Sequence, residues 1–228
     1  MTALRRALAL LPLGALATVV TAAPAGAAVL NTDACVRYVG GKDQPPMAIG
    51  GGGFTPNGVI TLATKTKTTP RPARLTSSPL QPTGLFLKTT RPPQFSSPRR
   101  NLEAFTLIGV DRTNPQAPIT ATTPFRMVRF GLTSKPAPKR PTSRITYTAR
   151  GFTTGRRVYI HFRFGGVTRR TVSLGVAKGP CGMVSRRMRA LPTRARYGEW
   201  TSYTNQSGTS SRALPSWKDT FTIFRRPS

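Results

Sequence analysis

The sequence is short of the residues that most enzyme chemistry uses. Its 228 residues hold one histidine, two cysteines and six acids, Asp33, Asp43, Glu103, Asp111, Glu199 and Asp219. A single histidine, His161, excludes a histidine-rich metal site and leaves little scope for a histidine-based triad. Two cysteines with no other strong ligands clustered beside them do not make a zinc site. Glycoside cleavage needs two facing carboxyls, and the acids here are scattered. Glu103 and Glu199 both precede a closing aromatic and occupy comparable places, but in different halves of the chain. The run Gly50-Gly51-Gly52-Gly53 lacks the Lys-Ser/Thr pair and following helix of a phosphate cradle, so it reads as a β-turn or bulge. No catalytic residue, cofactor or metal is expected, and the chain does not read as an enzyme.

Helix is missing as well. No segment keeps a capped apolar period of 3.6 residues, and 22 prolines with 21 glycines favour turns over helix. Long apolar runs are confined to the N-terminus. Arg5 and Arg6 precede an apolar stretch from Ala7 to Val20, and Ala25-Gly26-Ala27 supplies small residues for cleavage. This is the pattern of a secretory signal over residues 1–27. An uncleaved anchor is the alternative, disfavoured because the stretch is short for a span and contains Pro12 and Gly14. No transmembrane span is expected after it.

What the chain does have is alternation and repetition. Val158, Ile160, Phe162 and Phe164 alternate with Tyr159, His161 and Arg163, a period of two with one face buried and one wet. That period places His161 on the solvent face. Ile145, Tyr147 and Ala149 alternate likewise, and similar short runs fill the first half. Gly53-Phe54-Thr55 followed by Ile60 and Leu62 recurs 98 residues later as Gly151-Phe152-Thr153 followed by Val158 and Ile160. The ends recur too, Phe105 through Phe125-Val128 answering Trp200 through Phe221-Phe224. A period near 100 residues is domain-sized. The expected fold is all-β: two tandem antiparallel immunoglobulin-like sandwiches, residues 28–130 and 142–228, with roughly seven strands each, joined by a Pro-rich linker over 131–141. A small barrel with the same strand count is the alternative.

The two copies together resemble the secreted, tandem immunoglobulin-like repeat proteins of actinobacteria. The resemblance rests on the Gly-Phe-Thr turn before a hydrophobic strand (Gly53 to Gly58, Gly151 to Gly155) and on the aromatic closing segments. It implies location and architecture and carries over no catalytic residue.

An exported chain with two cysteines favours a disulfide. Cys35 opens the first copy and Cys181 lies midway through the second, so a Cys35–Cys181 bond would staple the copies together; two free thiols are the alternative. The formal charge is +29, and removal of Arg5 and Arg6 with the signal leaves +27. From residue 28 to Val128 there are 12 basic and 4 acidic residues; beyond Val128 there are 21 and 2. Arg156, Arg157, Arg169, Arg170, Arg186, Arg187, Arg189, Arg194 and Arg196 form the richest run. Guanidinium pairs bidentately with phosphate or carboxylate, so these nine are the candidate polyanion-binding residues. The expected partners are an anionic wall polymer or a lipid-headgroup surface. Sequence-specific nucleic-acid reading is not expected, because no aromatics interleave with the arginines. The alternative is a purely structural subunit of a surface assembly, its charge serving only solubility. Either way the chain reads as secreted, with cell-wall association open to it.

Overall fold

The computed structural model describes residues 27–137, 142–189, 191, 195–209 and 216–224. The expected signal peptide lies almost wholly outside them. Among the described residues the regular structure is strand, with one 3-10 turn at Gly41–Asp43. The strands are β1 (Val29–Thr32), β2 (Cys35–Tyr38), β3 (Met47–Gly52), β4 (Val59–Lys65), β5 (Ala73–Pro79), β6 (Phe86–Thr90), β7 (Leu102–Asp111) and β8 (Ile119–Arg129). They continue as β9 (Gly131–Lys135), β10 (Arg144–Arg150), β11 (Arg157–Phe164), β12 (Val167–Val176), β13 (Val184–Arg189), β14 (Gly198–Asn205) and β15 (Trp217–Ile223).

Four sheets result, and they fall into two matching pairs. The first module sets β1-β3-β6 against β2-β8-β7-β4-β5, and the second sets β13-β10-β9 against β12-β11-β14-β15. Apart from β2, each strand of one module has a counterpart of the same order and pairing in the other. Alternation along the strands explains why two sheets face each other. Val158, Ile160 and Phe162 of β11 turn inward to meet Ile145, Tyr147 and Ala149 of β10. Ile60, Leu62, Phe105, Leu107, Phe125 and Met127 do the same in the first module with Met47, Ile49 and Phe86. Both cores are contiguous clusters of buried apolar residues. β2 is the exception to antiparallel pairing, running parallel to β8 with Cys35 opposite Arg126.

The proline-dense stretch from Thr64 to Arg100 holds β5 and β6, and both lie at sheet edges. Edge positions tolerate the missing N–H groups of proline.

Two expectations need correction. Gly131–Lys135, expected in the linker, is β9, paired with β10 from Gly131↔Arg150 to Lys135↔Thr146. Only Phe130 separates β8 from β9; its N–H donates to Tyr38 O at 2.8 Å while its ring packs on Phe152 at 4.9 Å. The prolines misled because they follow β9 instead of interrupting it; 138–141 lie outside the described residues. Gly50–Gly52, expected as a turn or bulge, belongs to β3 and pairs with both β1 and β6. A Cβ on Gly51 would come within 2.5 Å of Val29 O and 2.7 Å of the Phe86 ring. Close packing explains that glycine.

Cys35 and Cys181 are bonded, with Cα atoms 5.2 Å apart across 146 residues of sequence. The bond joins the β1–β2 corner of the first module to the β12–β13 turn of the second.

Candidate anion-binding surface

Because Ile145, Tyr147 and Ala149 fill the core, Arg144, Thr146, Thr148 and Arg150 of β10 face outward. Register decides what joins them. Lys135 and Arg187 flank Thr146, Thr133 and Ser185 flank Thr148, and Arg189 lies opposite Arg144. Thr148 and Ser185 hydroxyls bond at 3.0 Å, and Arg150 Nη1 donates to Thr133 Oγ1 at 2.9 Å. Partial burial pushes the Arg150 pKa down, yet guanidinium stays charged. The outer face of this sheet thus carries five cations and four hydroxyls, and no carboxylate among the described residues. Directly opposed side chains lie ~5 Å apart, within one Debye length of about 8–10 Å, so their fields add.

The same register crowds one end of the module with charge. Arg150, Gly131 and Cys181 lie at the end facing the first module. Lys135, Arg144 and Arg189 therefore lie at the far end, as do Arg163 and Arg169, which flank the Gly165-Gly166 turn. Arg196, just before β14, belongs there too, because Gly198 pairs with Ile223 at the distal edge. Glu199 is the acid at this tip among the described residues.

The nine candidate arginines do not form one patch. Arg187 and Arg189 share the cationic face, and Arg169 and Arg196 lie at the distal tip. Arg156 and Arg157 belong to the opposite end, before and at the start of β11. Arg186 points along the core side of β13 and donates through Nη1 to Ser173 O of β12 at 2.6 Å, closing the open edge of the sandwich. Arg170 pairs with Phe162 and is half buried; its charge acts on the Tyr147 hydroxyl, whose pKa is raised by burial and by Asp219 and opposed by Arg170. Arg194 lies outside the described residues. Lys135, Arg144 and Arg150 were missed in the sequence because they are isolated there; only strand pairing brings them beside Arg187.

Two of the six acids are held inside the first module. Glu103 and Asp111 occupy the two ends of the buried face of β7. Glu103 accepts from Ser96 N–H at 2.8 Å, from the Ser96 hydroxyl at 2.5 Å and from Arg100 at 3.0 Å. Arg100–Glu103 is the ion pair found among the described residues. Asp111 accepts from Thr55 N–H at 2.8 Å and from the Thr113 amide and hydroxyl at 2.9 and 2.6 Å. Burial alone would raise its pKa, but these hydrogen bonds outweigh that and hold it at about 2. Glu103 and Glu199 are not equivalent. Phe105↔Phe125 answers Trp200↔Phe221, so Glu103 matches Gly198 and faces inward, while Glu199 is one residue out of phase and faces solvent.

His161 is not on a wet face. It is fully buried beneath the loop after β14. Its Nε2 lies 3.0 Å from Asn205 Oδ1 and 3.2 Å from Ser207 O, and its Nδ1 lies 2.9 Å from Thr171 Oγ1. Two acceptors face Nε2, so that nitrogen donates, and the Thr171 hydroxyl partners Nδ1. The ring ties the loop to β11 and β12. No group of three or more potential metal ligands occurs among the described residues, and no described helix is long and apolar enough to cross a membrane.

No protein-family model and no curated protein matches this sequence. Among solved structures, the chain is similar to Escherichia coli alpha-2-macroglobulin activated by porcine elastase, at 12% identity and TM-score 0.40, over 86% of this chain and 22% of that one. It is similar to a tetra-tandem repeat in the extending region of a large adhesion protein, at 12% identity and TM-score 0.30, over 87% of this chain and 49% of that one. The YadV chaperone is a third, at 13% identity and TM-score 0.26. The chain spans about a fifth of the macroglobulin and about half of the adhesion repeats. Likenesses this slight carry no argument about function.

Proposed function

We propose that this is an exported, non-catalytic module that binds anionic polymers at the cell surface through its second sandwich. The single observation that carries the reading is the outer face of β13-β10-β9, where Lys135, Arg144, Arg150, Arg187 and Arg189 stand among four hydroxyls with no carboxylate among the described residues. Natural surfaces intersperse both signs, and an unopposed array repels itself. A polyanion relieves that repulsion. The disulfide is compatible with an oxidising exterior, and export follows if residues 1–27 act as a cleaved signal. The first sandwich, 28–130, then serves as spacer and the second as reader, in keeping with the resemblance to secreted actinobacterial repeat proteins.

A second reading is favoured by the junction. One residue between β8 and β9 and a disulfide across the same joint suit a stiff structural element of a surface assembly. Co-sedimentation of the secreted protein with an insoluble anionic wall polymer, across a salt series, separates the two. Polyanion binding predicts retention at low salt with a log-linear fall in affinity as salt rises. Free passage at low salt leaves the structural reading.

A further inference from the structure

The outer face of β12-β11-β14-β15 differs in kind from the cationic face. Near its distal end lies a cavity of about 410 Å³ bounded by Arg163, Gly165, Gly166, Glu199, Thr201 and Tyr203. Arg163 and Thr201 are direct cross-strand partners. Glu199, Thr201 and Tyr203 project from alternate positions of β14. The Arg163 guanidinium carbon lies over the Tyr203 ring, 5.4 Å from its centroid, and one terminal nitrogen is tied to Gly166 O. The two glycines of the turn put no side chain over the opening. Arg163 and Glu199 line one cavity yet make no ion pair with each other. The site therefore offers a fixed fork of donors on one side, an acceptor carboxylate on the other, and a flat aromatic surface beside them.

We propose that this cavity is a subsite for a carboxylated pyranose, of the uronic-acid type, within an anionic glycan. This rests on the reading that the protein binds anionic polymers, and it narrows that class. A bare phosphate chain has acceptors only, so Glu199 repels it. A sugar carboxylate takes the planar fork of Arg163, while ring hydroxyls donate to Glu199 and exchange hydrogen bonds with Thr201. The C–H face of the ring packs against the part of Tyr203 that lines the cavity. The surrounding cations favour the net negative charge that the ligand keeps.

The test compares a short oligouronate with a polyphosphate of equal charge, each titrated into the full-length, disulfide-intact protein. Tyr203→Ala and Glu199→Ala are each expected to weaken oligouronate binding about tenfold, the loss of one aligned contact, and to leave polyphosphate unchanged or slightly tighter. Arg163→Lys keeps the charge and the fold but loses the fork, and it is expected to weaken the oligouronate severalfold while leaving polyphosphate unmoved. Equal responses of both probes to all three variants overturn the subsite and leave polyanion binding intact. An oligouronate that binds no better than the polyphosphate also overturns it. Failure of both probes to bind the unmodified protein overturns the broader reading, and the subsite with it.

Discussion

The two sandwiches share one construction and differ in what they do with charge. Their shared part is a corner built from two glycines. Gly53 and Gly151 both have φ near +78°, and the N–H of the next residue donates to a turn glycine, Phe54 to Gly84 O and Phe152 to Gly182 O. Both turn glycines also have positive φ. A Cβ would meet Phe54 O at 2.2 Å from Gly84 and Phe152 O at 1.5 Å from Gly182. The next hydrogen bond is where the copies part. Thr55 N–H is taken by the Asp111 carboxylate, and Thr153 N–H by the Gln206 amide oxygen at 3.0 Å. The second module keeps the geometry and discards the negative charge. The difference teaches that acid depletion in the second module reaches structural positions, so no carboxylate among the described residues at this corner offsets the cations of its outer face.

The largest expected effect comes from the bond that joins the copies. Replacing Cys35 and Cys181 together by serine should lower stability by about 4–5 kcal/mol, since the closed loop is long. Urea unfolding should then resolve separate transitions for the two modules. A single unchanged transition would mean that the junction at Phe130 couples them unaided.

Next is the glycine corner. Gly84→Ala and Gly182→Ala should each cost at least about 3 kcal/mol, from a clash with backbone at a left-handed position. Residue-resolved hydrogen exchange should show the loss confined to the module that carries the change. A mild effect in one copy and a severe one in the other would break the equivalence.

Smaller, and asymmetric, is the response to acid. The Asp111 carboxyl has a folded pKa of about 2 against an ordinary value of 3.8. Its stabilisation, ~2 kcal/mol, is therefore complete above about pH 4 and lost as pH falls toward 2. Gln206 does not titrate, so the corner of the second module should lack this component. Asp111→Asn should flatten the acid limb of the first module's stability curve and leave the second module's curve unchanged.

Much of this architecture was legible in the sequence, because Gly-Phe-Thr and the strand alternation are local signals. The all-β tandem arrangement followed from them, and the Cys35–Cys181 bond from the presence of two cysteines in a chain read as exported. Gly84 and Gly182 escaped notice although Pro82-Thr83-Gly84 and Pro180-Cys181-Gly182 repeat at the same spacing. Their role depends on a carbonyl some 30 residues away in the chain. His161 was misplaced because alternation assigns a face and not a depth; the loop carrying Ser207 covers it. The nine arginines were counted correctly but not arranged. Arg186 and Arg170 turn toward the core side, while Lys135, Arg144 and Arg150 join the outer face through pairing that composition cannot reveal.

The most direct test of the central claim holds net charge constant and moves only its location. One full-length variant carries glutamine at Lys135, Arg144, Arg187 and Arg189; a matched variant carries it at Lys42, Lys65, Lys67 and Arg71, all exposed in the first module. Surface charges contribute little to stability, so both should fold. Retention on a polyanion matrix is measured against salt. The account predicts that the second-module variant loses most of its retention and has a salt slope shallower by about three to four, while the first-module variant stays near the unmodified protein. Equal losses in the two variants would contradict it, making the binding a matter of total charge and not of this surface.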